Sequence, residues 1–539
     1  MRKVFLSGFI VMFSALSAIG QEKANLRDTT TMPKLEIPEI TIVGKKAITL
    51  PFARKGEVYD VELYEVPPPD TSLLEERFAM ALPLGPLPRY NEPLLPWHFS
   101  AQGSFGSFST VNVKVLADYK GKLWGIYGNT SLSSTKGHTE NAECKYFDAN
   151  INAHSLINTD NSILQSFRML GGVGMIFEKY GMYGIKEINV DRSRNNILLH
   201  GGISSLERDK NAYDVHLSAD IWSVSDNDSS TTLMSPELSA NYALSFARFL
   251  FSAGLSYSGT SLNYKQSTES PSLLSINVGI RWNTTEKWSI EAGGEIYDGS
   301  GSDRSGKTLL SPFVIGRLEI DKDRQLSVWF KPEMSLYTYG ELIKLNPYII
   351  REFILKPESA PIKIGGGFWF NGEILSLELN GEFSKISDKS ILISEDSQIL
   401  LQYVDAIQVI ARIYGTFTPQ KNMRITFSGI IQPTYEEGNS VQLSMIPLIK
   451  SGVRGELFLN IPLRIWSSVE YWSEQNIDLI SEKDIGARFL VEVGASTQII
   501  PRTILSAEIR NLLDDRYEWW NNYIAPGISF RLKAKINFL

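Results

Sequence analysis

The chain has 539 residues, 43% hydrophobic, 11% aromatic and 21% charged, with a formal net charge of −7. That length holds one large domain or several small ones, and so small a charge gives no reason to expect nucleic acid as a partner. The single cysteine, Cys144, excludes an internal disulfide.

Met1 to Gly20 reads as a secretory signal peptide. Arg2 and Lys3 precede an apolar run from Val4 to Leu16, and Ala18 and Gly20 put small residues before Gln21. After it no apolar run approaches the roughly 18–20 residues that a membrane helix needs. The exported chain is therefore expected to be secreted, periplasmic, or in a membrane as a β-barrel.

Residues 21–96 differ in kind from the rest of the exported chain. A Thr-rich opening leads to Pro38-Glu39-Ile40-Thr41-Ile42-Val43-Gly44, a short β-prone run. Tyr59 to Tyr64 alternates as a short strand, stopped by Pro67-Pro68-Pro69. Ser72-Leu73-Leu74-Glu75 is a capping box opening a helix through Ala81, and Leu82 to Pro96 is a proline-rich extended connector.

From Trp97 onward the pattern is strand after strand. Tyr213, Val215, Leu217, Ala219 and Ile221 oppose Asp214, His216, Ser218 and Asp220, the period-two signature of a sheet with one apolar and one polar face. Strand starts fall near His98, Ser109, Leu123, Cys144, Ile163, Asn195, Ala212, Met234, Phe249, Leu273, Trp288, Leu309, Gln325, Pro361, Ile374, Leu400, Met423, Gly452, Leu463, Ala487, Thr503 and Gly527. That makes about 22, an even number, as a single-chain bacterial barrel requires. Tight connections recur every second time, at Lys120-Gly121, Asp321-Lys322-Asp323, Asn371-Gly372, Ile461-Pro462 and Ile500-Pro501-Arg502. The alternate connections are longer, as at 339–360, 436–450, 474–486 and 512–526, and short inside with long outside is the outer-membrane habit. Trp282, Trp288, Trp369 and Trp466 lie near tight turns, where an interfacial girdle places them.

In the last strand Phe530, Leu532, Ala534, Ile536 and Phe538 fall on one side, and Arg531, Lys533, Lys535 and Asn537 on the other. The expectation is lipid outside and a polar lumen inside. Glu291, Glu295, Arg488, Glu492, Arg531, Lys533 and Lys535 are then lumen-facing charges of both signs, which favour a polar filling over an ion-selective pore.

No motif points to an enzyme or a cofactor. Gly301 to Thr308 matches the P-loop pattern letter for letter, but a strand succeeds it where the chemistry needs a helix N-terminus. Asp298 to Asp303 reads as a polar loop rather than a calcium site, because Leu309 stands where an EF-hand requires Glu; Asp226-Asn227-Asp228 reads as a turn first and a weak cation site second. The five histidines lack metalloprotease spacing and no nucleophile elbow is present.

Two stretches carry a family resemblance. Asn511-Leu512-Leu513-Asp514-Asp515-Arg516-Tyr517, followed by Ala525-Pro526-Gly527-Ile528-Ser529-Phe530 and a closing strand with Phe538, is similar to the C-terminus of TonB-dependent receptors. Ile528 stands where that family has Arg, and Leu539 follows the aromatic. Asn346-Pro347-Tyr348 with Leu355-Lys356-Pro357-Glu358-Ser359-Ala360 and Ile364-Gly365 resembles the run that leads from an outer loop into a descending strand of such barrels. By the same resemblance, Glu39, Ile40, Thr41, Ile42 and Val43 are similar to a TonB box, which adds as a strand to the energy transducer. The alternative is a strand inside the lumen or along a periplasmic rim. The roughly 75 residues between the signal peptide and the first strand are expected to be too few for the family's complete plug domain.

The expected fold is all-β, an outer-membrane antiparallel barrel of about 22 strands, with a signal peptide over 1–20, an N-terminal segment over 21–96 and the barrel over 97–539. The resemblance implies the outer membrane of a Gram-negative-type bacterium. It also implies lipid and the barrel-assembly machinery as partners, the latter reading Phe530, Leu532, Ala534, Ile536 and Phe538. A TonB-type transducer or a plug-supplying periplasmic partner completes the set. Function is then uptake or docking of an unknown ligand, with the lumen occluded by residues 21–96 or by a partner. The alternatives are a passive porin-like channel or a structural or assembly component of an envelope complex.

Overall fold

The computed structural model describes residues 97–538, apart from 158–165, 186–189, 206–210, 228, 265–266, 285–286, 304, 351–352, 396–397, 440–441 and 478–483. The signal peptide, the TonB-box-like run Glu39 to Val43, and the strand and helix expected between Tyr59 and Ala81 lie outside the described residues, as does Leu539.

The barrel strands are β1 Trp97–Gly106, β2 Thr110–Lys120, β3 Trp124–Thr135, β4 Cys144–Ile157, β5 Phe167–Gly181, β6 Asp191–Ser205 and β7 Asn211–Asp226. Next come β8 Ser229–Phe246, β9 Phe249–Gly259, β10 Ser272–Asn283, β11 Trp288–Ser300, β12 Gly306–Asp321, β13 Arg324–Phe330, β14 Glu358–Asn371 and β15 Leu375–Glu395. The remainder are β16 Gln398–Gln420, β17 Met423–Ile431, β18 Ile449–Phe458, β19 Leu463–Trp472, β20 Arg488–Ile500, β21 Thr503–Arg510 and β22 Ser529–Phe538. Each pairs antiparallel with the next. β22 also pairs with β1, from Phe99 opposite Phe538 to Gly106 opposite Arg531, and this closes the sheet. Closure leaves no unpaired strand edge. The strands correspond one for one with those expected from sequence, and the starts differ by at most five residues. The largest difference is β8, which begins at Ser229 rather than near Met234. The Ser-Thr run there alternates no apolar residues, because the strand extends past the apolar band.

The strand ends share two rims. Trp97 and Phe538 lie at one rim, together with the tight turns expected on that side; the longer connections gather at the other, here called the mouth. The outward face carries the apolar positions. Phe530, Leu532, Ile536 and Phe538 are exposed on it, and Ala534 shares it. Near the chain-end rim Trp97, Trp124, Trp282 and Trp288 are about half exposed and face outward, an aromatic belt. Trp369 and Trp466 do not belong to it. Strand parity turns both inward, and Trp466 lies on Gly494, where a Cβ would approach its ring to 2.3 Å; the Arg454 guanidinium lies 4.2 Å from the ring centroid.

In a lipid bilayer, Val278→Arg at the centre of β10 is expected to cost about 2–4 kcal/mol, and Ile290→Arg near the rim about 0–1. Urea unfolding from lipid vesicles measures both; equal costs would place the apolar band elsewhere.

Inward positions pair their charges. Glu291 accepts from Arg281 at 2.7 Å and Arg317 at 3.2 Å, and Glu456 from Arg454 at 2.9 Å and from Arg464. Lys331 lies 3.8 Å from Glu295, Arg510 3.7 Å from Glu492 and Arg531 3.3 Å from Glu508. The wall is polar, and many of its charges are compensated within the sheet.

Candidate functional site

The principal buried apolar cluster lies at the mouth, not between sheet faces. The tops of β5, β7 and β8 supply Tyr180, Trp222, Val224 and Leu233; the tops of β15, β16, β19 and β20 supply Leu392, Ile399, Trp472 and Leu490. The rest comes from connecting loops: Tyr339, Leu342, Ile343, Tyr348 and Ile349 between β13 and β14, Met445 between β17 and β18, Ile477 between β19 and β20, and Trp519 and Tyr523 between β21 and β22. Strands this far apart around a closed barrel touch only if the loops between them fold inward across the mouth.

The loop between β13 and β14 reaches β5, β6 and β16. It contains α1, Tyr339–Leu345, whose start is fixed by a capping box: Thr338 Oγ1 accepts from the Glu341 amide at 3.3 Å and Glu341 accepts from the Thr338 amide at 2.9 Å. From sequence this stretch reads only as a long outer connection, although the Thr-x-x-Glu signal stands in it. After α1, Asn346 Oδ1 accepts from the Tyr348 amide at 2.8 Å, a local turn that presents the Pro347 carbonyl. Tyr180 donates to that carbonyl at 2.7 Å and Arg192 at 2.9 Å; Arg192 also donates to the Ile349 carbonyl at 2.6 Å. Arg194 donates to the Ile343 carbonyl at 3.2 Å, near the last turn of α1. Both arginines are only 2% exposed. They are held from behind, Arg192 by Asp226 at 2.7 Å and Arg194 by Glu178 at 2.8 Å. Charge-assisted bonds of this kind are about twice as strong as neutral ones. Asp226, which reads from sequence as a turn residue, is thus committed to Arg192.

On the far side Tyr348, from the mid-barrel stretch, stacks on Tyr523, ring centroids 3.9 Å apart, in the loop flanked by the two parts of the C-terminal stretch. The loop then turns down into β14 through Glu358, which accepts from Lys389 at 3.1 Å and from the Ser390 amide at 2.8 Å. The tip of the β15–β16 hairpin is the centre of the arrangement. Ile350 donates to the Ile399 carbonyl at 2.9 Å, Ser444 to the Leu392 carbonyl at 2.9 Å, Ser394 to the Ile477 carbonyl at 3.3 Å, and Asn521 to the Ser394 hydroxyl at 3.0 Å. Arg488, expected as a lumen charge, instead sits inside an aromatic cage. Its guanidinium lies 3.7 Å from the Trp472 ring, 4.4 Å from Trp519 and 4.8 Å from Tyr517, and Lys450 also lies 3.7 Å from Trp472. Such contacts contribute about 0.5–2 kcal/mol each when desolvated.

The P-loop-like run is a turn, buried at Gly301 and Ser302, that leads into β12. Leu355 donates to Ser302 at 3.1 Å, Lys356 pairs with Asp303 at 3.0 Å and Lys307 with Asp388 at 2.9 Å. Hydrogen bonds from Ser305, and then Lys356, hold the Asp303 carboxyl down to about 2. The run's lysine and turn residues therefore anchor a loop, and among the described residues a strand, not a helix, succeeds them.

This barrel superposes on solved transporter structures along most of its length. The copper transporter OprC aligns with a TM-score of 0.63 at 13% identity, covering 82% of this chain and 80% of that one. The FrpB iron transporter from Neisseria meningitidis aligns with a TM-score of 0.67 at 10% identity, covering 82% of each chain. The fold is that of the TonB-dependent receptor barrels. The ferric yersiniabactin uptake receptor FyuA from Yersinia pestis aligns at 0.63, with 11% identity and 83% and 81% coverage. No protein-family model matches the chain, nor does any curated protein sequence.

In this receptor-like barrel the two groups of sequence-expected site residues fare differently. Phe530, Leu532, Ala534, Ile536 and Phe538 share the outward face of β22 beside β1, while Glu39, Ile40, Thr41, Ile42 and Val43 lie outside the described residues. Arg192, Arg194, Glu178 and Tyr180 are not expected from sequence. Their partners lie about 150 residues away in the chain, apart from Glu178 and Asp226, and no local pattern marks them.

Proposed function

We propose that the protein is a receptor-like barrel of the outer membrane that takes up or docks a ligand, and that its infolded loops close the outer mouth until a ligand or partner releases them. The observation that carries this reading is the loop between β13 and β14, held across the mouth by Arg192, Arg194 and Tyr180. A passive channel of this strand number has no use for so many buried contacts over its entrance. The occlusion is thereby assigned first to the chain's own loops, with residues 21–96 or a partner acting from the other rim. The solved neighbours carry copper, iron and ferric yersiniabactin by name, which favours a metal ion or metal chelate as the cargo class. The outward row Phe530, Leu532, Ala534, Ile536 and Phe538 is the stretch offered to the assembly machinery, and Glu39 to Val43 the strand offered to a TonB-type transducer.

The test is binding of the transducer's periplasmic domain to the full-length protein in detergent. Deleting Glu39 to Val43 is expected to reduce that binding at least about tenfold, because main-chain pairing supplies the affinity. Undiminished binding would remove the transducer from the reading and favour a structural component of the envelope.

A further inference from the structure

The lumen wall is electrically divided. The inward faces of β21, β22, β1 and β2 carry Arg510, Arg531, Lys533, Lys535, Lys114 and Lys120 against two carboxylates, Glu508 and Asp118. Those two are already engaged, Glu508 by Arg510 at 3.2 Å and Arg531 at 3.3 Å, and Asp118 by His98 at 2.9 Å and Lys120 at 3.6 Å. Whatever the pairing, the sector keeps a positive surplus. β7 and β8 contain no Lys or Arg at all, and Asp214, Asp220, Asp226 and Glu237 point inward there. A polyanion entering the lumen is attracted to the seam and repelled from β7 and β8.

The chain itself contains such a polyanion. Between Gly56 and Arg77 it carries Glu57, Asp60, Glu62, Glu65, Asp70, Glu75 and Glu76 and no basic residue. The stretch ends 21 positions before Trp97, where β1 begins at the chain-end rim. A linker of that length spans up to about 70 Å at roughly 3.3–3.6 Å per residue, ample for a wall about 35–40 Å tall. Pro67-Pro68-Pro69 stand at its middle, a composition that favours extended backbone.

We propose that Glu57–Glu76 docks on the basic sector formed by β21, β22, β1 and β2. This rests on the barrel reading above and deepens it: the chain's own acidic strap is the ligand of that sector, held by charge rather than by an apolar interface. The strap covers the lumen side of the β1–β22 seam, below the loops at the mouth. High salt loosens it, and an acidic solute competes with it.

Engineered disulfides test the docking in the full-length, detergent-solubilised protein. Cys144 is buried and does not compete. Glu62→Cys with Lys533→Cys or Lys535→Cys is expected to cross-link in most molecules at about 50 mM salt, and at least about fivefold less at about 1 M, where the Debye length shrinks to about 3 Å. Glu62→Cys with Asp214→Cys is expected to cross-link at least about tenfold less at low salt, since like charge repels the strap from that wall. Retained heat-modifiable migration certifies that each barrel is folded. As a second measurement, E57K/D60K/E62K/E65K, which leaves the barrel untouched, is expected to speed thermolysin cleavage within the strap about tenfold or more. Equal cross-linking to both walls, cross-linking to neither, or salt-independent yields would overturn the proposal, as would unchanged cleavage. A partner from the envelope as the true occupant would appear as absent cross-links in the purified protein. No transducer binding or conductance enters these assays, so the receptor reading stands or falls separately.

Discussion

In a barrel lacking residues 21–96, replacing Thr338–Ile350 with a short Gly/Ser linker is expected to raise single-channel conductance in a planar bilayer by about tenfold or more, because a barrel of this strand number encloses an aqueous lumen once nothing fills it. The same truncated barrel with its loops intact is expected to conduct little. The replacement removes Tyr339, Leu342, Ile343, Tyr348 and Ile349 from the mouth cluster and leaves Arg192, Arg194 and Tyr180 without the carbonyls they hold. Neighbouring loops then lose the surface that Tyr523 and the β15–β16 tip pack against. Equal, low conductance before and after would mean that α1 and its loop are not what closes the mouth. High conductance in the truncated barrel with intact loops would assign closure to residues 21–96 instead.

Arg194→Met is expected to lower stability by about 3–5 kcal/mol, since it strands the Glu178 carboxylate, itself only 6% exposed, without its partner. Arg194→Met with Glu178→Leu is expected to recover most of that loss, because an apolar pair of similar volume avoids the uncompensated charge. Thermal unfolding followed by heat-modifiable migration measures both. The double variant should still admit solute more readily, for it no longer holds the Ile343 carbonyl. If the single variant unfolds with the wild type, the arginine is not buried as described. If the double variant is as tightly closed as the wild type, the grip on α1 is not needed for closure.

These contacts give the family-like stretches a physical reason. Asn346-Pro347-Tyr348 is a turn that exposes one carbonyl to two donors and one ring to a stack. Glu358, opening β14, gathers Lys389 and Ser390 from the adjacent hairpin and so fixes where the crossing loop re-enters the wall. Asn511, from the other stretch, donates to the Asp515 carbonyl at 2.8 Å and the Pro526 carbonyl at 3.1 Å, closing the base of the loop that carries Tyr523.

The strand number, the parity of tight and long connections, and the outward face of β22 are all legible in the residues. Each depends on a local quantity: apolar and polar positions two apart, and Gly, Pro and Asp at turns. A β-strand in a barrel has only two faces, so alternation alone nearly determines where each side chain points. A tryptophan suits a girdle by residue type and nearness to a turn, so Trp369 and Trp466 fit one until their opposite parity to the exposed Ile364 and Ile465 turns them inward. The mouth is different in kind. Arg192 meets Pro347 and Tyr348 meets Tyr523 across gaps of 155 and more residues, between loops without periodicity. Only closure of the barrel brings those loops over one opening. Burial of their apolar side chains, at about 1.5–3 kcal/mol each, then selects the packing that satisfies the arginines beneath them. The wall is thus written in local alternation, while its cover exists only once distant loops are brought together by closure.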